Sequence, residues 1–389
     1  MIYYLWTKAA SGLENTWVGS VFQLLDQIVF RALAAAVLSF VLVLVFGKPL
    51  IAWLRRKKIG DTGLADTAHL AQVAKSKAST PTMGGILIVG SVVVSTLLLA
   101  DVSNFYVLLG LVVALWLAVL GGVDDWLKLT AASRPGASRQ GLFAWEKLVF
   151  QLGLGVIAGW FIYHHANPQV SPNLAHVLNL PFQKTYAKPG EVAEGLIYLS
   201  QAAFIVLAVM MLTGMSNAVN ITDGMDGLAA GITSAVSLGL MIVALVAGKQ
   251  SWAQYLLVPY VPDSGELAVM AAAMLGACLG FLWFNCAPAQ VFMGDTGALA
   301  LGGILAYIAV VTRQEIVLLF MSVIFLIEIG SVTLQVGYFK ATGGKRIFKV
   351  APYHHHLHMC GWQEGQVVVR FWIVSVLLVV LGLASIKVR

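Results

Sequence analysis

Several acidic residues of this sequence lie at the ends of apolar segments, either next to each other or next to glycines. Asp124 and Asp125 are adjacent in GGVDDWLK, and Asp295 lies in MGDTG. An adjacent acidic pair either marks the polar end of an apolar segment, or its mutual repulsion raises a pKa or recruits a divalent cation. Asp295 also suits the N-cap of a helix, and capping does not exclude metal binding. Because Mg²⁺ prefers carboxylate oxygens and keeps waters and phosphate oxygens as further ligands, these three residues are candidates for metal-assisted chemistry.

A second polar segment reads NAVNITDGMDG. Its spacings of three place Asn217 with Asn220, and Asp223 with Asp226, on shared helical faces. Each residue alone would suit a helix cap or a turn. Four amide or carboxylate groups in so short a stretch favour a functional face over capping alone.

Basic, aromatic and imidazole groups complete the set. Lys77 and Thr82 precede an apolar segment, and a lysine, hydroxyls and a helix N-terminus suit a phosphate, although a solvated basic loop has the same composition. Phe292 is either an aromatic anchor at the membrane interface or a ring that stacks on a base. The histidines 354–356 cannot all face one centre, so one or two functional members are expected rather than a zinc site. Glu328, inside an apolar segment, is expected to brace a neighbouring helix.

The elements that must position these residues are apolar. Of 389 residues, 59% are apolar and 11% charged, and mean hydropathy is +0.85. This composition excludes an ordinary soluble enzyme, and three cysteines exclude a disulfide-stapled chain. We predict one all-α, polytopic transmembrane catalytic domain over 1–389, with about ten helices. The ten apolar segments are 28–46, 83–100, 105–123, 147–163, 196–216, 228–247, 267–284, 298–312, 315–339 and 366–386. Four prolines in 164–195 predict an extended or hairpin-like connection there.

Basic residues predict the orientation. Lys48, Arg55 and Arg56 follow the first segment and should remain in the cytosol. The chain's net charge of +6 is therefore interpreted as a topology signal, and no nucleic-acid partner is expected. Both termini then lie outside, and the active site is formed by inner loops at the cytosolic face. Those loops are 47–82, 124–146, 217–227, 285–297 and 340–365.

Five blocks carry a resemblance to a known family. They are TPTMGG (80–85), DDWLK (124–128), NAVNITDGMDGLA (217–229), FNCAPAQVFMGDTGALALGG (284–303) and SVTLQVGYFKATGGKRIFKVAPYHHH (331–356). In these blocks the chain resembles the phospho-N-acetylmuramoyl-pentapeptide-transferases, a bacterial branch of the polyprenyl-phosphate N-acetylhexosamine-1-phosphate transferases. The blocks are long and ordered as in the family, and they cover nearly the whole membrane region.

The resemblance implies Mg²⁺-dependent transfer of phospho-MurNAc-pentapeptide from UDP-MurNAc-pentapeptide to undecaprenyl phosphate in the bilayer of the bacterial plasma (inner) membrane. The products are lipid I and UMP, and the reaction is the first membrane step of peptidoglycan synthesis. The family pattern makes Asp295 the metal ligand, Phe292 the uracil-stacking ring and Asp124 a candidate base on the lipid phosphate. The catalytic candidates are Asp124, Asp125, Asp295 and His354. The substrate-binding candidates are Lys77, Thr82, Lys128, Asn220, Asp223, Asp226, Asn285, Phe292, His355 and His356.

The chain departs from the family pattern at a few positions. Ser79 stands where the family usually has Gly, residues 131–138 lengthen a loop, and Leu357 to Trp362 read LHMCGW where the family has Phe-Glu-Leu-Lys-Gly-Trp. The last exchange bears on local substrate contacts rather than on the reaction.

Three questions stay open at this point. A relative that transfers phospho-GlcNAc is the alternative enzyme, and a secondary transporter is a distant alternative that would show paired half-repeats. The sequence leaves open which Asp is the base and whether the route is one-step or goes through a phospho-enzyme. It also leaves the oligomeric state open, with a homodimer as one possible assembly.

Overall fold

Fourteen helices make up most of the part of the chain that the computed structural model describes, which is residues 1–13, 23–57, 80–131, 141–166, 173–188 and 190–387. In chain order they are α1 (Ile2–Leu13), α2 (Ile28–Arg56), α3 (Gly85–Leu99), α4 (Phe105–Thr130), α5 (Ala144–His165), α6 (Gln201–Thr222), α7 (Leu228–Ala247), α8 (Gln250–Leu256), α9 (Leu267–Asn285), α10 (Gly294–Val311), α11 (Glu315–Met321), α12 (Val323–Ala341), α13 (Tyr353–Met359) and α14 (Glu364–Lys387).

Nine helices in these described ranges are long and apolar enough to cross a membrane, namely α2, α4 to α7, α9 with its preceding turn, α10, α12 and α14. The chain is therefore an all-α, multi-pass membrane protein, which confirms the predicted fold class. Two of the ten predicted segments differ in detail. The segment 83–100 forms α3, which has only 15 residues. The segment 315–339 is divided at Ser322 into α11 and α12.

Helix α10 lies at the centre of the bundle, and 94% of its 18 residues are buried. Small residues allow the neighbouring backbones to approach it closely. A Cβ on Gly85 would collide with Gly297, a Cβ on Gly121 would collide with the Asp295 backbone, and a Cβ on Gly302 would collide with Met215. The start of α3, the end of α4 and the end of α6 therefore converge on α10.

The opposite end of α10 carries a small cap. Strand β1 (Val177–Leu178) pairs with β4 (Ile197–Tyr198), and β2 (Tyr186–Lys188) pairs with β3 (Glu191–Val192), both antiparallel. This confirms the predicted hairpin-like connection in the described part of 164–195. Arg313, which is fully buried, donates from Nε to the Val177 carbonyl oxygen at 2.9 Å and so fastens the cap to the bundle.

The first helix was not expected from the sequence. Helix α1 lies before the first predicted segment, and Trp6 Nε1 donates to Asp26 Oδ1 at 2.9 Å. Its apolar residues are followed by Thr7, Lys8 and Ser11, so hydropathy alone showed no continuous apolar segment there. The orientation of the termini across the membrane stays a prediction.

Candidate active site

Three carboxylates from two helices meet at the N-terminus of α10. Asp124 and Asp125 lie near the end of α4, and Asp295 is the second residue of α10. All three are buried, and one carboxylate oxygen of each lies within 4.8 Å of the others. The close approach depends on Gly121, because a Cβ there would collide with the Asp295 backbone. The structure thus joins acidic residues that the sequence places 170 positions apart.

Two lysines lie between these carboxylates. Lys147 Nζ donates to Asp124 Oδ2 at 2.7 Å and to Asp295 Oδ2 at 2.5 Å. Lys128 Nζ lies 2.7 Å from Asp124 Oδ2 and 3.3 Å from Asp295 Oδ1. The Leu142 N–H also donates to Asp124 Oδ1, at 2.7 Å. The negative charge of the cluster is thereby partly neutralised from within the protein.

Lys147 was missed as a site residue in the sequence, where it counted only as one more positive charge of the inner loops. It lies in the first turn of α5. A lysine at the first position of a predicted apolar segment was the available signal. That signal does not identify the partner, because the partner depends on how α5 docks.

Asp125 holds the turn that presents Asp295. Its Oδ1 accepts the Asp295 N–H at 3.1 Å, and its Oδ2 accepts the Thr296 N–H at 3.0 Å and the Thr296 hydroxyl at 2.7 Å. A carboxylate at a helix N-terminus satisfies free N–H groups and complements the helix dipole. Gly294 has φ +74°, and a Cβ there would lie 2.7 Å from Asp125 Oδ2, so both conformation and space require glycine.

The segment after α6 supplies an amide and another acid. Asn220 Nδ2 donates to Asp295 Oδ1 at 2.9 Å. Asp223 follows the last residue of α6, and burial, with the nearby charges of Asp295 and Asp125, raises its pKa to about 7. The prediction that Asp223 and Asp226 share a helical face is wrong, because α6 ends at Thr222 and both acids lie in the turn that follows. Within the segment, the side chain of Asn220 reaches Asp295.

Asp226 and Asn285 lie at the same end but contact backbone groups. Asp226 Oδ2 accepts the Ala289 N–H at 3.0 Å. Asn285 Oδ1 accepts the Gly227 N–H at 3.0 Å, and its Nδ2 donates to the Val291 carbonyl oxygen at 2.8 Å. These contacts join the loop after α6 to the loop before α10.

Thr82 and Phe292 are brought together by backbone pairing. The Phe292 N–H donates to the Pro81 carbonyl oxygen, and the Gly84 N–H donates to the Phe292 carbonyl oxygen, both at 2.8 Å. The Phe292 side chain is half-buried. Thr82 Oγ1 would lie 3.0 Å from a Cβ placed on Gly294, so this hydroxyl borders the same turn. The predicted phosphate-binding residue Lys77 lies outside the described residues.

The three histidines point in different directions. His354 is fully buried, and its Nδ1 lies 2.9 Å from Glu328 Oε2 of α12, so the predicted bracing contact of Glu328 is present. His354 Nε2 faces Gly224, where a Cβ would collide with it. The His355 ring packs on that of His354 at 4.2 Å between centroids. His356 is directed elsewhere, since its Nδ1 accepts the Lys349 N–H at 3.2 Å. His354 thus adjoins the loop after α6, and His355 packs on His354.

The donor set at the start of α10 fits a metal ion. Hard divalent cations take carboxylate and amide oxygens, and one oxygen each of Asp124, Asp125 and Asp295 lies close enough to the others to share such an ion. Three carboxylates against the ammonium groups of Lys128 and Lys147 leave an excess of negative charge to attract a cation. Of these acids, Asp295 has the more exposed side chain, 12% against 0% for Asp124.

Comparison with known proteins agrees with the motifs. The family described as Glycosyl transferase family 4 matches residues 105–313, and the phospho-N-acetylmuramoyl-pentapeptide-transferase signature 1 matches residues 77–89. A curated phospho-N-acetylmuramoyl-pentapeptide-transferase from Desulfotalea psychrophila is 43% identical over 368 residues, which cover 95% of this chain and 96% of that protein. The chain therefore belongs to glycosyl transferase family 4 and, within it, to the phospho-N-acetylmuramoyl-pentapeptide-transferases.

Proposed function

We propose that this protein transfers phospho-MurNAc-pentapeptide from UDP-MurNAc-pentapeptide to undecaprenyl phosphate. The products are UMP and lipid I, and the reaction takes place at the cytosolic face of the bacterial plasma membrane as the first membrane step of peptidoglycan synthesis. One observation carries the proposal: the carboxylates of Asp124, Asp125 and Asp295 meet Lys128 and Lys147 where membrane-spanning helices end. A soluble nucleotide and a membrane-bound phosphate have to meet at such a place.

Both substrates are anions, so their repulsion must be screened before phosphorus is attacked. We assign Mg²⁺ to Asp295, because its carboxylate is the more accessible one and lies at the positive end of a helix. When bound, Mg²⁺ supplies charge neutralisation at the diphosphate of the donor. Asn220 and Asp125 hold Asp295 in place through its side chain and its backbone, respectively.

The acceptor phosphate is assigned to the Asp124 side of the cluster. Asp124 lies near the end of a membrane-spanning helix, at the depth where a lipid phosphate approaches, and we propose it as the group that takes a proton from that phosphate. Lys128 and Lys147 both contact its Oδ2 and are placed to bind phosphate oxygens as point charges.

The nucleotide is assigned to the turn between α9 and α10. Thr82 and Phe292 border this turn, and a half-buried ring suits stacking on uracil. His354, beside the loop after α6, and His355, whose ring packs on that of His354, are proposed to contact the phospho-sugar part of the donor. Lys77 is kept in the phosphate-binding set through the family pattern.

The experiment is a transfer assay with purified protein. Radiolabelled UDP-MurNAc-pentapeptide and undecaprenyl phosphate are supplied with Mg²⁺ in detergent, and UMP release is followed together with the labelled lipid product. UDP-GlcNAc is offered as a competing donor. Transfer from UDP-MurNAc-pentapeptide that Asp295→Asn abolishes would support the proposal, whereas transfer from UDP-GlcNAc alone would favour the relative with the other sugar.

A further inference from the structure

Gln151 and Asn217 form a side-chain contact next to the active site, in which Gln151 is buried and Asn217 is half-buried. Asn217 Nδ2 donates to Gln151 Oε1 at 2.8 Å and to the Thr213 carbonyl oxygen at 2.8 Å. Gln151 Nε2 donates to Ser216 Oγ at 3.0 Å, and Gln151 is only 1% exposed. Asn217 shares the NAVNITDGMDG segment with Asn220 but uses its amide to bind α5.

This contact lies one helical turn from two residues that touch Asp295. On α5, Gln151 follows Lys147 by four positions, and on α6, Asn217 precedes Asn220 by three, so each pair shares a helical face. Lys147 Nζ lies 2.5 Å from Asp295 Oδ2, and Asn220 Nδ2 lies 2.9 Å from Asp295 Oδ1. The contacts thus form a closed ring from Asp295 through both helices and back.

The rest of the α5–α6 interface has small residues at its closest points. A Cβ on Gly155 would lie 2.7 Å from the Val209 Cα, and a Cβ on Gly159 would lie 3.0 Å from the Ala208 Cβ. Small residues bring membrane helices close, but a smooth surface resists sliding only weakly. A pair of side-chain amides with a buried member is different, because the donors and acceptors of Gln151 are satisfied in one register and left unpaired in others. The Gln151–Asn217 contact is therefore suited to fixing the relative height of α5 and α6.

We propose that Gln151 is a positioning residue of the active site. Through Asn217 it sets the height of Lys147, so that the lysine ammonium lies between Asp124 and Asp295. A displacement of about 1 Å would matter, because catalytic contacts lose their effect with shifts of this size. The kinetic consequence rests on the proposed function, whereas the placement of Lys147 does not.

The kinetic test compares two matched substitutions. Gln151→Leu removes the contact beside the site. Gln314→Leu removes a similar buried contact beyond the far end of α10, where Asn179 Nδ2 donates to Gln314 Oε1 at 3.0 Å. We expect both variants to lower the melting temperature. Gln151→Leu should lower kcat by about tenfold with KM for the UDP-sugar nearly unchanged, while Gln314→Leu should keep kcat within about twofold.

A double-mutant cycle shows whether the effect acts through the lysine. In a Lys147→Gln background, Gln151→Leu should change the residual kcat by less than about twofold. The same fold loss in both backgrounds would overturn the proposal, and so would a Gln151→Leu variant with the kcat of Gln314→Leu.

A second readout is independent of substrate. Acetylation of the Lys147 amine by acetic anhydride, followed by peptide mass spectrometry, should be several-fold faster in Gln151→Leu than in the wild type or in Gln314→Leu, because the lysine loses its fixed place between two carboxylates. If the wild type fails to turn over UDP-MurNAc-pentapeptide, the proposed function fails and this comparison still decides the placement. Asn217→Leu removes the same contact from α6 and should reproduce the result. If neither variant yields folded protein, the contact holds the fold rather than the lysine, and the proposal is wrong.

Discussion

The carboxylate of Asp125 accepts the backbone N–H of Asp295 at 3.1 Å, so one acid of the site fixes the position of another. The same carboxylate binds both the N–H and the hydroxyl of Thr296. Its two oxygens are therefore occupied by the start of α10, whereas the carboxylate of Asp295 is turned toward Lys128, Lys147 and Asn220. The two acids thus have separate tasks, and substitutions should separate them.

Replacing Asp125 by Asn should harm both the fold and the activity. An amide nitrogen in place of one carboxylate oxygen would face donors, leaving buried N–H or O–H groups unpaired. We expect the free energy of unfolding to fall by about 1–3 kcal/mol and turnover to be strongly reduced. Thermal unfolding in detergent measures the first effect. Asp101→Asn is the control, because Asp101 accepts similar contacts from Ser103 in an exposed turn. An equal loss of stability in both variants would contradict the assignment.

Asp295 and Asp124 should differ in their dependence on Mg²⁺. Asp295→Asn is expected to lose activity by orders of magnitude and to weaken the apparent Mg²⁺ affinity, because it removes the assigned ligand. Asp124→Asn should also be nearly inactive, but should keep Mg²⁺-dependent binding of the UDP-sugar. The measurement is a Mg²⁺ titration of residual activity and nucleotide binding for each variant. If Asp124→Asn abolishes that binding and Asp295→Asn keeps it, the two roles are reversed.

The ring of Phe292 should contribute to nucleotide affinity. Phe292→Ala is expected to weaken UMP binding by about 1–3 kcal/mol, the usual value of a stack between a base and an aromatic ring. Phe292→Tyr keeps the ring and should be nearly neutral. Calorimetric titration of UMP checks both variants. Unchanged affinity in the alanine variant would leave Phe292 as an anchor at the membrane interface.

Residues of the cap at the far end of α10 should not affect chemistry. Lys184→Ala and Glu191→Ala are expected to keep turnover within a few-fold of the wild type, because the assigned substrate contacts all lie at the other end of the bundle. Asp263 has φ +64°, so Asn, which tolerates this conformation, is the suitable replacement there. Complete loss of activity in any of these variants, in folded protein, would disprove the assignment of the active site to one end.

Much of the candidate site could be predicted from the sequence, because the family motifs contain most of its residues. Asp124, Asp125 and Asp295 were identified from type and spacing, and the structure brings them together. Lys147 was not identified, because its contacts depend on the docking of α5 against α6, which is fixed by Gln151 and by glycines whose contacts a sequence does not display. Likewise, the sequence marked Glu328 and His354 as polar but did not show that they pair.

The positions of the apolar helices could be predicted from the sequence, but the breaks within them could not. Hydropathy found a helix at each predicted segment, but the break at Ser322 separates two apolar helices and leaves no trace in hydropathy. Helix α1 was missed in the sequence for a different reason. Its apolar residues do not form a run long enough to cross a membrane. Breaks and short amphipathic helices are determined by tertiary contacts rather than by composition.

The shortness of α3 has a consequence for the surrounding lipid. Fifteen residues rise about 22 Å, whereas the hydrocarbon core of a bilayer is about 30 Å thick. If α3 crosses the bilayer, the non-helical residues before it are expected within the thickness that lipid tails normally occupy. Peptide groups in hydrocarbon need hydrogen-bond partners. At the start of α3, the N–H groups of Gly84 and Gly85 donate to the carbonyl oxygens of Phe292 and Met293. A helix shorter than the hydrocarbon core favours local thinning of the bilayer. We therefore expect a lipid headgroup to reach the active site sideways at this point, while its tail stays in the bilayer.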